Sequence, residues 1–269
     1  MATLQLFNRQ IDSYYAALYN EVHIIFDWYK PLSVKSGTRS KQTKSLTPVR
    51  RIISNANVPL PKDWSSYLSM PENKTDLMKF FSEEALKYDF KGILVVAGGF
   101  EDPSEVKSTK PDFDVSHLIS THEEADTRII LHAVHNRATN VVVMARDTDV
   151  ILLLIHHFSK MSCSHLWVMA GTSKTRKFIP LHEVCSQMSL TRASQLMALH
   201  ALTGCDTTSK LASITKMAAW NTVHDDDGYL LQQGLGQFPL KELVINNVEK
   251  FIVSPVSYTH LTLPTIYSV

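Results

Sequence analysis

Four short acidic motifs in this sequence each stand where an apolar segment ends or where a helix begins. They are Phe26-Asp27, Glu123-Glu124-Ala125-Asp126, Asp147-Thr148-Asp149 and Gly204-Cys205-Asp206. Gathering carboxylates in one place is unfavourable unless a cation neutralises them. If the fold brings these motifs together, we expect a hard divalent ion such as Mg²⁺ to bind there. The motifs therefore predict metal-assisted chemistry on a phosphate.

Asp147 and Asp149 are two residues apart, so in an extended or turning segment their side chains point the same way. Both carboxylates could then reach one metal ion or two adjacent ions. The alternative is a polar turn between two apolar segments, in which aspartate accepts hydrogen bonds from its own backbone. The spacing alone leaves both interpretations open.

The motif that ends at Asp126 also has two interpretations. Thr121 followed by Glu124 has the spacing of a capping box, with Thr121 as the N-cap of a helix. Acidic residues are also favourable at a helix N-terminus. A first helical turn can nevertheless present Glu124 and Asp126 to a metal ion, so neither interpretation excludes the other.

The last motif has three interpretations. Asp206 could complete the acidic cluster, or Cys205 could act as a nucleophile with His200 as its base. No third group at a recognisable spacing orients His200 for that role. In the remaining interpretation Gly204 ends one helix, and an aspartate or threonine caps the next.

The basic residues are unevenly distributed, although the formal net charge of the chain is only +1. No acidic residue lies between Asp27 and Asp63, and the segment between them holds these basic residues: Lys30, Lys35, Arg39, Lys41, Lys44, Arg50, Arg51 and Lys62. We expect a basic arch or loop over residues 30–62 that contacts a nucleic-acid backbone without reading its sequence. The alternative is a solvated basic loop without a partner.

Composition narrows the class of protein. Three cysteines without a CxxC spacing predict neither a disulfide framework nor a cysteine zinc site. His132 and His135 have no third ligand at a zinc-like spacing, and we expect them to be surface or packing residues. We expect an intracellular protein, a location compatible with the nucleus. We expect no membrane partner, because no apolar run is long enough to span a bilayer.

Apolar segments alternate with amphipathic segments along the chain. Strands are predicted at residues 22–26, 93–97, 141–145 and 166–170, and helices at residues 74–87, 121–136, 181–187, 192–202 and 208–220. Residues 150–155 fit either element, because periodicity alone cannot decide. The alternation predicts an α/β fold with a mostly parallel sheet. In such sheets ligands bind outside the carboxyl ends of the strands.

Taken together and in order, the motifs resemble the flap-endonuclease-like 5′ nucleases of the PIN-like superfamily over most of the chain. Ile24-Ile25-Phe26-Asp27 and Val34-Lys35-Ser36-Gly37 are similar to that family's strand-end aspartate and basic helix. Its later motifs are similar to residues 124–126, residues 147–149 and Leu202-Thr203-Gly204-Cys205-Asp206. The sequence resembles more closely still a set of uncharacterised animal proteins associated with mobile elements.

The resemblance implies a three-layer α/β/α domain over residues 1–253 that hydrolyses phosphodiester bonds of DNA or RNA with two Mg²⁺ (or Mn²⁺) ions. The implied metal ligands are Asp27, Glu124, Asp126, Asp147, Asp149 and Asp206. Lys35 and Arg39 are the implied catalytic residues, which steer and neutralise the scissile phosphate. The basic arch is expected to bind nucleic acid through Lys35, Arg39, Lys41, Lys44, Arg50 and Arg51.

The sequence also departs from the family pattern. The family begins with an earlier strand that carries another metal aspartate, whereas only 26 residues precede Asp27, so an N-terminal truncation is expected. Asp126 replaces the usual glutamate, and residues 209–217 lack the glycines of the family's DNA-binding hairpin. The alternative function is therefore a catalytically inactive PIN-like module that binds nucleic acid or protein. Residues 254–269 resemble a translated sequencing adapter, and we expect them to be a non-native tail.

Overall fold

The chain divides into two compact units, unit 1 (Met1–Ala138) and unit 2 (Thr139–Val269). The structure is a computed structural model, and it describes residues 18–28, 47, 49–53, 55–171, 175–205, 208–209, 215–222, 235 and 238–257. Several of the predicted site residues lie outside these ranges: Lys35, Arg39, Lys41, Lys44 and Asp206. Their predicted roles therefore stay predictions.

Unit 1 contains a three-stranded sheet whose central strand is buried on both faces. Strand β1 (Glu21–Ile25) pairs in parallel with β2 (Ile93–Ala97), which pairs antiparallel with β3 (Val106–Ser108). The sequence of β2 is Ile-Leu-Val-Val-Ala, a continuous apolar run of the kind found in strands that are covered on both sides.

The helices of unit 1 within the described residues are α1 (Trp64–Leu68), α2 (Pro71–Ala85) and α3 (Ala125–His135). On one face of β2, Leu94 and Val96 pack with Ala85 of α2. On the other face, Val95 and Ala97 pack with Leu118, which belongs to a short 3₁₀ turn. Alternate residues of one strand therefore build two separate parts of the core, as the two-residue repeat of a strand requires.

Unit 2 contains a second sheet of the same pattern. Strand β4 (Asn140–Met144) is parallel to β5 (His165–Gly171), and β5 is antiparallel to β6 (Arg176–Pro180). The described helices of this unit are α4 (Thr148–His157), α5 (Leu181–Ser186), α6 (Leu190–Leu202), α7 (Lys216–Thr222) and α8 (Glu242–Ser257). Leu199, Ala219 and Phe251 form a buried cluster that joins α6, α7 and α8.

The α/β class predicted from the sequence is confirmed, in the form of two small three-stranded sheets with helices. The undecided segment at residues 150–155 belongs to helix α4. Helix α8 continues to Ser257, so it includes the beginning of the segment predicted to be a tail. Within the described residues, no helix combines the length and the apolar character needed to cross a bilayer.

Two strands were not predicted. Strand β3 lies within the charged residues 100–114, and β6 precedes helix α5. Both lie at the edge of a sheet. Edge strands are short and tolerate charged side chains, as Lys107 and Lys177 illustrate, so the apolar pattern that marks a central strand is absent from them.

A chain of polar side chains links β1 to α3 inside unit 1. Glu21 Oε1 lies 2.8 Å from His23 Nε2, and His23 Nδ1 lies 2.7 Å from Nδ1 of His132. His132 is only 3% exposed. Burial, together with repulsion from His23 and Arg128, lowers the pKa of His132 to about 3, so this ring is neutral in the folded protein. The packing role expected for His132 is confirmed.

We expect the free energy of unfolding to decrease as the pH falls from about 6.5 towards 3. The unfolded chain protonates this histidine near its ordinary pKa of about 6.5. The folded chain resists protonation until about pH 3, so protons favour the unfolded state throughout that window. Urea unfolding at several pH values should show a slope of about 1.4 kcal/mol per pH unit from this one group.

The control for this pH dependence is His135, which lies on the same helix and is exposed. A His132→Asn variant should have a flatter pH dependence than the wild type, whereas His135→Asn should leave the slope unchanged. Equal slopes in the wild type and His132→Asn would show that burial of His132 does not control the acid sensitivity.

Candidate metal centre

In unit 1 the predicted metal ligand Asp27 contacts the start of helix α3, which carries two more of the predicted ligands. Asp27 follows the carboxyl end of β1, and its Oδ1 accepts a hydrogen bond of 2.8 Å from the backbone N–H of Ala125. Ala125 is the first residue of α3, so Glu124 and Asp126 flank that contact. The adjoining backbone is also paired, because Trp28 N–H donates to the Glu123 carbonyl at 2.7 Å. This contact places Asp27 beside a helix start almost a hundred positions later in the chain. Among the described residues, the donor atoms of Asp27, Glu124 and Asp126 do not converge on one ion position as those of Asp149, His200 and Cys205 do.

The start of α3 differs from the sequence prediction. Its N-cap is Glu124, whose side chain makes no capping hydrogen bond. The capping box with Thr121 as N-cap is therefore wrong. The acceptor that a capping residue normally provides comes from Asp27, on a different element of the fold. Local sequence patterns cannot reveal such a long-range cap.

Arg128 is a buried cation near Asp27, and no role was predicted for it from the sequence. Its side chain is fully buried, and its Nη1 donates to the Phe26 carbonyl at 3.2 Å. Burial lowers the pKa of Arg128, while the nearby carboxylate of Asp27 opposes that shift. Among the described residues, its Nε and Nη2 have no hydrogen-bond partner. Arg128 therefore partly neutralises the negative charge at the end of β1.

A glycine makes room for that guanidinium. Gly98 follows β2 with φ of +79°, a conformation that residues with a side chain rarely adopt. A Cβ at this position would lie 2.7 Å from Arg128 Nη1. Gly98 therefore follows the end of β2 and permits the close approach of Arg128.

In unit 2 the paired aspartates lie directly after β4, at the start of α4. Asp147 is the N-cap, and its Oδ1 accepts from the backbone N–H of Asp149 at 3.0 Å. The polar-turn interpretation therefore describes the local hydrogen bonding of Asp147 correctly. Asp147 is exposed and Asp149 is partly buried, so the two carboxylates lie in different surroundings.

Asp149 is bonded to a histidine that is bonded in turn to a lysine. His200 Nε2 lies 2.9 Å from Asp149 Oδ1, and Lys216 Nζ lies 3.0 Å from His200 Nδ1. An ammonium group can only donate, so Nδ1 of His200 must accept and the ring proton must be on Nε2. His200 therefore donates to the Asp149 carboxylate and holds its orientation.

Lys216 is held in place by the end of helix α6. Its Nζ donates to the Gly204 carbonyl at 2.7 Å and lies 3.2 Å from the Thr203 hydroxyl. A cation is favourable at this position because helix carbonyls point towards it. Gly204 has φ of +93°, which confirms the prediction that it ends the helix.

Cys205 lies beside this group, where a nucleophilic role would require His200 as its base. Asp149 provides the orienting partner of His200 that the sequence did not reveal. However, both nitrogens of His200 already have partners, because Lys216 donates to Nδ1 and Asp149 accepts from Nε2. A general base needs a vacant nitrogen directed at the thiol. The arrangement therefore does not support His200 as a base for Cys205.

The two described arginines of the basic arch make intramolecular contacts. Arg50 Nη2 lies 2.7 Å from Asp76 Oδ2, and its Nη1 donates to Asn73 Oδ1 at 2.8 Å. Arg51 donates to the Pro59 carbonyl at 3.0 Å. Asn73 is fully buried, and it also donates to the carbonyls of Val49 and Tyr67. The contacts of Asn73 with Val49, Arg50 and Arg51 attach this part of the arch to helix α2.

The donor atoms of the two units suit different ions. The predicted ligands of unit 1, Asp27, Glu124 and Asp126, offer only carboxylate oxygens, the donors that Mg²⁺ and Mn²⁺ prefer. Unit 2 offers the oxygens of Asp147 and Asp149, and beside Asp149 also a ring nitrogen and a sulfur.

Comparisons of this chain with protein-family models, with curated proteins and with solved structures find no match.

Proposed function

We propose that this chain is a PIN-like, divalent-metal-dependent nuclease that hydrolyses phosphodiester bonds of DNA or RNA by a two-metal mechanism. One arrangement found in both units supports this proposal. A strand of a parallel pair ends, and carboxylates lie at the start of a helix. In unit 1 the strand is β1, and Asp27 bonds to the first residue of α3. In unit 2 the strand is β4, and Asp147 and Asp149 begin α4.

The carboxyl ends of parallel strands are the usual position of ligand sites in α/β proteins. The proposal includes the three-layer α/β/α architecture of the PIN-like superfamily. The proposed ligands of two Mg²⁺ or Mn²⁺ ions are Asp27, Glu124, Asp126, Asp147, Asp149 and Asp206. When bound, such ions activate a water molecule and neutralise the leaving oxygen of the phosphodiester.

The protein's own contribution is to hold these carboxylates in place before an ion binds. Asp27 is held by Ala125 N–H and by the charge of Arg128. Asp149 is held by His200. Ligands that are oriented in advance lose less conformational freedom on binding, so these contacts favour ion binding. In this proposal Lys35 and Arg39 bind the scissile phosphate, and the arch binds the nucleic-acid backbone.

The first test is cleavage of labelled single-stranded, duplex and flap substrates by the full chain. We expect cleavage with Mg²⁺ or Mn²⁺ and none when EDTA is present. Cleavage that continues in EDTA would contradict the metal-dependent mechanism. The choice among the three substrates then distinguishes a structure-selective nuclease from a general one.

The second test is thermal unfolding, which requires no substrate. An ion bound only by the folded protein stabilises it by about 2.7 kcal/mol at one hundred times its dissociation constant. For a chain of this size we expect Mn²⁺ to raise the Tm by about 5 °C or more. A Tm that does not change with Mn²⁺ would show that the carboxylates form no ion site.

The alternative is an inactive module that binds nucleic acid or protein. The contacts of two carboxylates favour it: Asp27 caps α3, and Asp149 accepts from His200. Both carboxylates therefore already have structural partners. The alternative predicts salt-sensitive nucleic-acid binding without cleavage, and no change of the Tm with Mn²⁺. The two experiments above therefore decide between the proposals.

A further inference from the structure

Three side chains of different chemistry meet in unit 2. One oxygen of Asp149, one ring nitrogen of His200 and the sulfur of Cys205 all lie within 4.8 Å of one another. Asp149 is at the start of α4, His200 is in the last turn of α6, and Cys205 follows that helix. All three are partly buried, which limits the number of positions that each side chain can adopt.

We propose that Asp149, His200 and Cys205 form a binding site for one borderline-soft divalent ion of the Zn²⁺ class. Mg²⁺ and Ca²⁺ bind through oxygen atoms, whereas a mixed set of oxygen, nitrogen and sulfur is typical of Zn²⁺ and its transition-metal neighbours. Three protein ligands leave a fourth position for water or a substrate. This inference does not depend on nuclease activity, although it shares Asp149 with the proposed nuclease site.

The distance between Asp149 and His200 is close to the one that a tetrahedral ion needs, and the sulfur of Cys205 lies within 4.8 Å of a donor atom of each. Bonds of about 2.0 Å to nitrogen or oxygen and about 2.3 Å to sulfur place the donor atoms roughly 3.3–3.6 Å apart. Asp149 Oδ1 and His200 Nε2 are now 2.9 Å apart, joined by the Nε2 proton. An ion that replaces this proton therefore requires the two side chains to separate by only a few tenths of an ångström.

The cysteine of this group is accessible from outside. A cleft of about 460 Å³ is lined by Thr203, Gly204, Cys205, Thr208, Thr215 and Lys216. The Thr208 hydroxyl lies 3.2 Å from Cys205 Sγ and donates its proton to the Ala201 carbonyl at 2.8 Å, so it accepts from the Cys205 thiol. Burial raises the pKa of the Cys163 and Cys185 thiols, which disfavours metal binding at those two cysteines.

The positive charge of Lys216 disfavours binding of this ion, and a Lys216 variant measures how much affinity the charge costs. Coordination through Nε2 moves the proton of a neutral His200 ring to Nδ1, where Lys216 now donates. Lys216 must then leave Nδ1, while its contacts with Gly204 and Thr203 can remain. We therefore expect Lys216→Met to bind the ion about tenfold more tightly, the effect of removing one unit charge from roughly 6 Å away.

The test uses Co²⁺ on the full chain as a spectroscopic substitute for Zn²⁺. We expect one Co²⁺ per chain, a thiolate-to-cobalt charge-transfer band in the near ultraviolet, and displacement by Zn²⁺ but not by Mg²⁺. On binding, the Cys205 thiol releases its proton to the buffer and the sulfur forms the bond to cobalt. The band should disappear in Cys205→Ser and persist in the matched control Cys185→Ser.

Three results would overturn the inference: no charge-transfer band in the wild type, a band that survives in Cys205→Ser, or a band lost in Cys185→Ser. His200→Asn provides a second variant, and its affinity for Co²⁺ should be at least tenfold weaker. Circular dichroism of each variant checks that it is folded. A cobalt band without Mg²⁺-dependent cleavage would support this site and contradict the nuclease, whereas cleavage without a band would do the reverse.

Discussion

We expect the double variant Asp147→Asn/Asp149→Asn to lose metal-dependent cleavage by at least about 10³-fold. A metal ion contributes several kilocalories per mole of charge stabilisation in the transition state, and about 4 kcal/mol corresponds to this factor. Asparagine has nearly the same shape as aspartate but no charge, so it binds Mg²⁺ far more weakly. Single-turnover cleavage of the preferred substrate at saturating Mg²⁺ measures the effect.

The double variant should remain folded, which makes the result interpretable. Asparagine is as good an N-cap as aspartate, so residue 147 can still accept from the backbone N–H of residue 149 at the start of α4. The matched control is Asp89→Asn/Asp112→Asn, which removes the same charge from two exposed positions of unit 1. If the control and the double variant cleave equally well, Asp147 and Asp149 are not metal ligands of the reaction.

The second large effect is expected on stability. Asp27→Ala should lower the free energy of unfolding by about 3 kcal/mol. The N–H of Ala125 loses its acceptor, which costs about 1 kcal/mol at a helix N-terminus. The buried guanidinium of Arg128 also loses its nearby opposite charge, and an uncompensated buried charge costs further free energy. Urea denaturation at neutral pH measures the difference between variant and wild type.

Asp27→Asn separates the structural role of this residue from its proposed metal role. The amide oxygen still accepts from Ala125, so only part of the stability should be lost, whereas the effect of Mn²⁺ on the Tm should fall as far as in Asp27→Ala. If the stability of Asp27→Ala is unchanged, the cap of α3 and the interaction between Asp27 and Arg128 contribute little to the free energy of unfolding. A full response to Mn²⁺ in both variants would remove Asp27 from the set of ligands.

The parts of the fold that the sequence predicted are those determined by local patterns. The apolar runs at β1, β2, β4 and β5 predicted strands, and these four strands form the two parallel pairs of the fold. Gly204 predicted a helix end, because it lacks the side chain that disfavours a left-handed backbone. The helical state of residues 150–155 could not be predicted, since a short apolar run fits both elements.

The partners of the site residues could not be predicted in the same way. Asp27 caps a helix that begins 98 residues later, and His200 bonds to an aspartate 51 residues earlier. Such contacts depend on how the elements pack, which a single sequence does not encode in its spacing. One signal was available for Arg128, namely a charged residue within the apolar stretch of helix α3, since a buried cation there requires a nearby carboxylate.

Anomalous diffraction from crystals grown with Mn²⁺ tests the proposed ion sites without a substrate. We expect manganese peaks within about 2–2.5 Å of carboxylate oxygens that include those of Asp27 and Asp149. Crystals at millimolar Mn²⁺ with no peak at either aspartate would show that these carboxylates bind no ion.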